Sequence, residues 1–180
     1  MDGTCAIILA AGKGERFGGA GGKLWVPIAG KPVLLWTLER FHSHPDIEQI
    51  VLVGLEEELL RLRDLAGAFG KVTAVVKGGR ERWESVRLGL EAIPAGDKWV
   101  LVHDAARAGV SAELIFRVLH ATQQTGAAIP ALRVADTVKW VDQNSVVQAT
   151  IPRDHPHNGQ RWQMMAVQTP QGFAVNILRE

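Results

Sequence analysis

Tyrosine is absent from this 180-residue chain although six tryptophans are present, an imbalance with no evident physical cause. Cysteine occurs once, as Cys5. A single thiol excludes a disulfide framework and fits a reducing cytoplasm. No apolar run approaches the ~18 residues of a membrane-spanning helix, so no membrane contact is expected. The N-terminus has neither the basic start nor the long apolar stretch of a secretory leader. Charge excess is missing too, since the formal net charge is +1. That balance argues against a nucleic-acid backbone or an anionic bilayer as partner, and basic residues that bind an anion must be gathered locally. What remains is ordinary for a globular protein, 47% hydrophobic and 22% charged, and long enough for one domain with a substantial core.

Strand-length apolar runs alternate with helical patterns. The runs are Cys5–Ala10, Gln49–Val53, Val72–Val76, Trp99–His103 and Ala127–Ala131. Between them, Pro32–His42, Glu56–Phe69, Arg80–Ile93 and Ala112–Thr125 carry helical spacing. Leu114, Ile115, Val118 and Leu119 form the stripe of a helix packed on a sheet, and Ser111 is placed to cap it. Continuous rather than alternating strands indicate burial on both faces. The alternation predicts an α/β fold with a mostly parallel sheet between helices. After Ala131 the rhythm breaks. Thr137–Val141 and Val146–Ile151 flank Asp142-Gln143-Asn144-Ser145 and predict a hairpin, a projecting arm over about 136–160. Its apolar residues need a cover, and a partner subunit is one solution. "RDHPHNGQR" reads as a loop, and "FAVNILRE" as the first two turns of a helix.

Three stretches carry the candidate chemistry. The first, "ILAAGKGERFGGAGGKLW" from Ile8 to Trp25, ends a strand in a loop with six glycines. Small residues at Ala10, Ala11, Gly12 and Gly14 allow close approach to backbone N–H groups, and Lys13, Arg16 and Lys23 add positive charge. Ligands of open parallel sheets bind beyond the carboxyl ends of strands, where this loop falls. It reads as a polyphosphate cradle or, more plainly, as a tight turn with solvated charges. Walker A fails, because its first glycine would fall on Phe17 and Leu24 follows the lysine. The dinucleotide pattern fits poorly, with Phe17 in place of the third glycine. The second stretch, "WVLVHDAARAGV", delivers Asp104 to the same edge with Arg107 three residues on. That carboxylate is placed to hold Mg²⁺ or to pair with Arg107. The third, "VVKGGRERWESVRLGL", ends a strand in Gly78-Gly79, with Arg80, Arg82 and Ser85 opening a helix whose N-terminus suits a polar ligand. Together the three describe a nucleoside triphosphate pocket with a metal site. His103 reads as a core or supporting histidine, the other histidines lack metal-ligand spacing, and no protein nucleophile stands out.

"AAGKGERF…GGK", "GKPVLLWTLERF", "GGRERWESVRLGL", "VHDAARA", "VADTVKW" and "QTPQGF" occur here in order. In that order the chain resembles the 2-C-methyl-D-erythritol 4-phosphate cytidylyltransferases of non-mevalonate isoprenoid biosynthesis, over essentially its whole length. The resemblance implies a Rossmann-like fold of the nucleotide-diphospho-sugar transferase type with residues 1–180 in one domain. It implies CTP and 2-C-methyl-D-erythritol 4-phosphate as substrates, Mg²⁺ as metal, and a cytoplasmic homodimer joined through the arm. By the match, Ala10, Ala11, Gly12, Gly14, Arg16 and Lys23 hold the triphosphate, with Arg16 and Lys23 stabilising the transition state. Gly79, Arg80 and Ser85 line the cytosine pocket, Asp104 binds the metal and Arg107 the substrate phosphate. Thr137, Thr169 and an arginine near the arm's end reach the partner's substrate. That arginine is Arg153 by the "TIPR" match, which is preferred, or Arg161 by distance to "QTPQ".

Departures from the family pattern set further expectations. Gly22 and Leu24 replace the usual Pro and Gln around the loop lysine, which loosens the backbone there. Ala108 stands for a proline and Glu84 for an aspartate. The family domain continues past Glu180 with a lysine and an aspartate that contact substrate and metal. Asp104 is therefore expected not to complete the metal site within these residues. Two other readings stay open: a ribitol 5-phosphate cytidylyltransferase, and a non-catalytic nucleotide-binding dimer.

Overall fold

The computed structural model describes residues 3–12, 22–93, 96–157 and 159–179. The chain runs β1 (Gly3–Ala10), a 3-10 turn (Lys23–Trp25), the short strands β2 (Pro27–Ile28) and β3 (Lys31–Pro32), then α1 (Val33–His42). It continues through β4 (Gln49–Gly54), a 3-10 turn (Glu56–Glu58), α2 (Leu59–Ala66), β5 (Val72–Lys77), α3 (Arg82–Glu91), β6 (Asp97–Asp104), α4 (Ala112–Thr125) and β7 (Ala127–Ala128). Six short strands follow: β8 (Ala131–Arg133), β9 (Val138–Val141), β10 (Val147–Ile151), β11 (Asp154–His157), β12 (Gln160–Gln163) and β13 (Met165–Val167). β14 (Gln171–Ala174) and α5 (Val175–Arg179) close the described chain.

Two compact units divide it, residues 130–168 and the remainder. In the larger unit the sheet order is β5-β4-β1-β6-β14-β7. β1 lies parallel to β4 and β6, with Ile7 opposite Val51 and Val102, and β5 lies parallel to β4. The mostly parallel α/β sheet is thus present. Successive β1 side chains feed opposite faces, as strand geometry requires. Ala6 and Ile8 join Leu34, Leu38 and Phe41 of α1, Leu62 of α2 and Ile115 of α4 in one buried cluster. Cys5 and Ile7 join Val51, Val53, Leu90 of α3 and Val175 in the other. Each fully buried Leu or Ile contributes ~1.5–3 kcal/mol relative to exposure, so these two layers dominate the unit's stability. Burial also pushes the Cys5 thiol up to about 12, with the Asp97 charge adding to the effect. α4 begins where expected, the Ser111 hydroxyl accepting from the Leu114 N–H at 3.1 Å.

Three expectations change. The run Ala127–Ala131 is not one parallel strand: β7 ends at Ala128 and pairs antiparallel with β14, which pairs antiparallel with β6. Pro130 has no N–H with which to continue a ladder, and Ala131 opens β8 in the other unit. In "FAVNILRE", Phe173 and Ala174 complete β14, so the helix starts at Val175. "RDHPHNGQR" is not a loop, because β11 and β12 pair antiparallel across it; the overlooked signal is the Asn158-Gly159 dipeptide, which favours a tight hairpin.

Within the smaller unit the expected hairpin forms from β9 and β10. Asp142 shapes its turn, its Oδ1 accepting from the N–H groups of Asn144 and Val146, each at 2.9 Å. β8 pairs with β13. The Val134 N–H donates to the Met164 carbonyl and the Met164 N–H to the Arg153 carbonyl, tying the base of the two hairpins together. Among the described residues no helix is long and apolar enough to cross a membrane.

Candidate active site

The carboxyl edge of the sheet gathers residues from four separate stretches. β1 ends at Ala10, followed by Ala11 and Gly12. β5 ends at Lys77, and the N–H of the next residue, Gly78, donates to the Gly54 carbonyl at 2.8 Å, so the turn stays tied to β4. A Cβ on Gly78 would sit 2.4 Å from the Ala11 Cβ and 2.9 Å from the Ser85 Oγ. The two candidate stretches therefore touch, and only glycine permits it. Ser85 accepts from the Gly79 N–H at 3.0 Å and is itself buried. The Glu84 carboxylate accepts from the N–H groups of Arg80, at 2.6 Å, and Glu81, at 3.3 Å. These bonds pin the Gly-Gly turn onto the start of α3. Arg80 contributes its backbone N–H, and its side chain is exposed.

Asp104, the last residue of β6, is braced by two guanidinium groups. Arg82 Nε donates to its Oδ1 at 3.2 Å and Arg107 Nε to its Oδ2 at 3.1 Å. Arg82 also donates to Gln171 Oε1 at 3.1 Å, which links α3, β6 and β14. With the Arg82 and Asp104 side chains 49% and 33% exposed, this ion pair is worth little as stability. It gathers two cations around one carboxylate at a strand end, a charge arrangement of the kind that binds phosphate.

Beneath Asp104 runs a fully consistent hydrogen-bond chain. His103 is buried, and burial holds its imidazole down at about 4, against an opposing bond to the Arg107 carbonyl. The ring is neutral at neutral pH. Its Nε2 lies 3.2 Å from the Arg107 carbonyl, which can only accept, so Nε2 carries the proton. Nδ1 then accepts from the Thr169 hydroxyl at 2.9 Å, and Thr169 Oγ accepts from the Asp104 N–H at 3.4 Å. Thr169, from "QTPQ", belongs with Asp104 and Arg107 in the larger unit and is buried. Its hydroxyl is engaged within this chain.

The Lys23 turn sits close by. Leu24 is buried in the same cluster as Ala10 and Ala105, at the ends of β1 and β6. Lys23 itself is half-buried. Gly14 and Arg16 lie outside the described residues. Thr137, Arg153 and Arg161 belong to the smaller unit. Arg153 donates to the Ala135 carbonyl, two residues before Thr137, whereas Arg161 pairs with Asp154 across the β11–β12 ribbon.

Sequence reasoning placed Arg82 at the opening of the third stretch but gave it no partner, and it did not single out Gln171. Arg82 was visible as the second arginine after Gly79, but its partner Asp104 lies 22 positions away and only the sheet order joins them. Gln171 sits next to "TP" and could be placed only once β14 was known to flank β6.

Comparison with known proteins gives the family. A sequence profile of 2-C-methyl-D-erythritol 4-phosphate cytidylyltransferase matches residues 4–180. The chain belongs to this family. The cytidylyltransferase of Prochlorococcus marinus is 37% identical over 97% of this chain and 74% of its own. That of Symbiobacterium thermophilum is 40% identical over 96% of this chain and 69% of its own. Among solved structures, the 4-diphosphocytidyl-2C-methyl-D-erythritol synthase of Anaerococcus prevotii superimposes with a TM-score of 0.77 at 28% identity, covering 98% of this chain and 73% of that one. The Francisella tularensis cytidylyltransferase gives 0.76 at 30% identity, covering 96% and 73%.

A metal would find Asp104 as its protein donor. Among the described residues no three His, Cys, Asp or Glu side chains form a metal-binding group. Mg²⁺ carried on a triphosphate needs only one or two carboxylates, its other positions going to phosphate oxygens and water. Asp104 can supply one such carboxylate once Arg82 or Arg107 releases one of its oxygens, and by itself it does not complete a metal site.

Proposed function

We propose that this chain transfers the cytidylyl group of CTP to 2-C-methyl-D-erythritol 4-phosphate in the cytoplasm. A phosphate oxygen of the acceptor attacks the α-phosphorus of CTP, the bond from α-phosphorus to the bridging oxygen breaks, and pyrophosphate leaves. A protein nucleophile is not needed. The protein positions the two anions and offsets charge as it shifts. The observation that carries the reading is Asp104 held between Arg82 and Arg107 at the sheet's carboxyl edge, beside the Gly78–Ala11 contact.

Ala10, Ala11 and Gly12 offer backbone N–H groups to the triphosphate, with Gly14 and Arg16 of the same loop, and Lys23 draws charge from the α-phosphoryl oxygens. Ser85 holds the Gly79 N–H in place, so Gly79, Arg80 and Ser85 form the wall against cytosine. Arg107, with Arg82, takes the acceptor's phosphate. Asp104 would hold Mg²⁺, which supplies Lewis-acid charge to the triphosphate. The smaller unit serves as a dimer arm: Thr137 and Arg153 act on the partner's substrate, Arg153 being preferred to Arg161 because it already bonds the segment that carries Thr137.

Pyrophosphate release measured with CTP, Mg²⁺ and 2-C-methyl-D-erythritol 4-phosphate, with ribitol 5-phosphate in parallel, tests this. Release with the first acceptor alone is expected. Release with ribitol 5-phosphate would move the assignment to that acceptor, and CTP binding without release from either would identify a nucleotide-binding homologue.

A further inference from the structure

The turn that carries Lys23 has little to hold it from its own sequence. It is a single 3-10 turn, Lys23–Trp25, entered through Gly22 at φ 72°, a left-handed backbone position that glycine adopts at an entropic cost. No side chain caps it. Two anchors come from elsewhere. Leu24 is buried in the core cluster. Trp25 is gripped by the segment leading into α2: its Nε1–H donates to Glu58 Oε1 at 2.8 Å, and the Arg61 guanidinium stacks over its ring at 3.6 Å from the centroid. The Trp25 N–H also closes the turn on the Gly22 carbonyl at 3.2 Å.

In a 3-10 helix three residues complete a turn, so neighbouring side chains leave about 120° apart. A buried leucine alone fixes where the turn sits but leaves it free to roll about that anchor. Fixing the next side chain as well removes the roll, and the direction in which Lys23 departs is then set. We propose that Trp25, clamped by Glu58 and Arg61, is a positioning residue for Lys23. This rests on the reading of Lys23 as a triphosphate ligand. It also supplies a structural answer to the loosened backbone at Gly22: rigidity is imported from α2 rather than built into the loop.

CTP affinity by calorimetry, together with kcat and KM for CTP, tests the inference in five variants of the chain. Trp25→Phe keeps the ring over Arg61 and removes the indole N–H, and Glu58→Ala removes its acceptor. Each is expected to weaken CTP binding about three- to tenfold, the effect of one lost positional hydrogen bond. Glu58→Gln, which still accepts, is expected to restore near wild-type affinity. The Trp25→Phe/Glu58→Ala double variant should be no worse than the weaker single one, because both break the same bond. The Trp25 indole N–H should exchange slowly in the wild type and Glu58→Gln, and rapidly in Glu58→Ala. Wild-type affinity in Trp25→Phe and Glu58→Ala, with only a lowered melting temperature, overturns the inference and makes the clamp merely structural. Lys23→Ala separates the layers: if it binds CTP normally, the role given to Lys23 fails, and the inference fails with it.

Discussion

His103 shows how one buried side chain can hold a site together without facing the ligand. Its neutral ring spends both nitrogens, one on Thr169 and one on the Arg107 carbonyl. The turn after β6 therefore depends on the ring staying uncharged. Its value in the fold is about 4, below the ordinary 6.5, so the unfolded chain binds the extra proton first as pH falls. The stability tied to this group is whole above pH ~6.5 and is lost on acidification toward 4, about 2 kcal/mol of it by pH 5. Urea unfolding at pH 7 and pH 5 should show that drop in the wild type and a smaller one in His103→Asn. An equal drop in both would assign the acid sensitivity elsewhere. From sequence, His103 could be placed inside a strand but not given its partners, because Thr169 is 66 positions away.

At the scale of elements, Gly78 sets the clearance between two strand ends. Gly78→Ala would drive a methyl group into the Ala11 Cβ and the Ser85 Oγ. Overpacking of this kind costs about 1–3 kcal/mol, and the shift it forces falls on the nucleotide pocket. We expect its melting temperature to fall and CTP affinity to fall roughly tenfold or more; a normal CTP titration would show that the glycine turn stands outside the pocket. Glu84→Ala should separate the two effects, loosening the start of α3 by about 1 kcal/mol through the lost backbone bonds. The parallel strands and their helices were legible because periodicity and buried runs are local signals. Cys5–Ala10 and Trp99–His103 each lie inside strands that begin earlier and, for β6, end one residue later. What escaped was pairing. Nothing local says that Ala127 and Ala128 match Phe173 and Gly172, and the β11–β12 ribbon carries Pro156 and few apolar residues, so its strand character comes from the turn rather than from a buried face.

For the whole molecule, the proposed dimer makes the plainest prediction. The smaller unit exposes Leu132, Trp140, Val147, Trp162 and Met165, apolar area that a partner would cover. Trp140→Glu is expected to yield a monomer by light scattering and to cut turnover roughly tenfold, since a central aromatic anchor commonly dominates an interface. A monomer with undiminished turnover would refute both the arm's role and that of Arg153. The order of the sheet also has a consequence in time. β14 lies between β6 and β7, yet it comes after both in the chain and after all of residues 130–168. As the chain leaves the ribosome, the outer edge of β6 lacks its neighbour, and its unpaired backbone waits while residues 130–168 are synthesised. At about 5–20 residues per second that interval lasts several seconds. The arm therefore acts as a delay line in synthesis, and the nascent sheet is open to false pairing for as long as it takes to make.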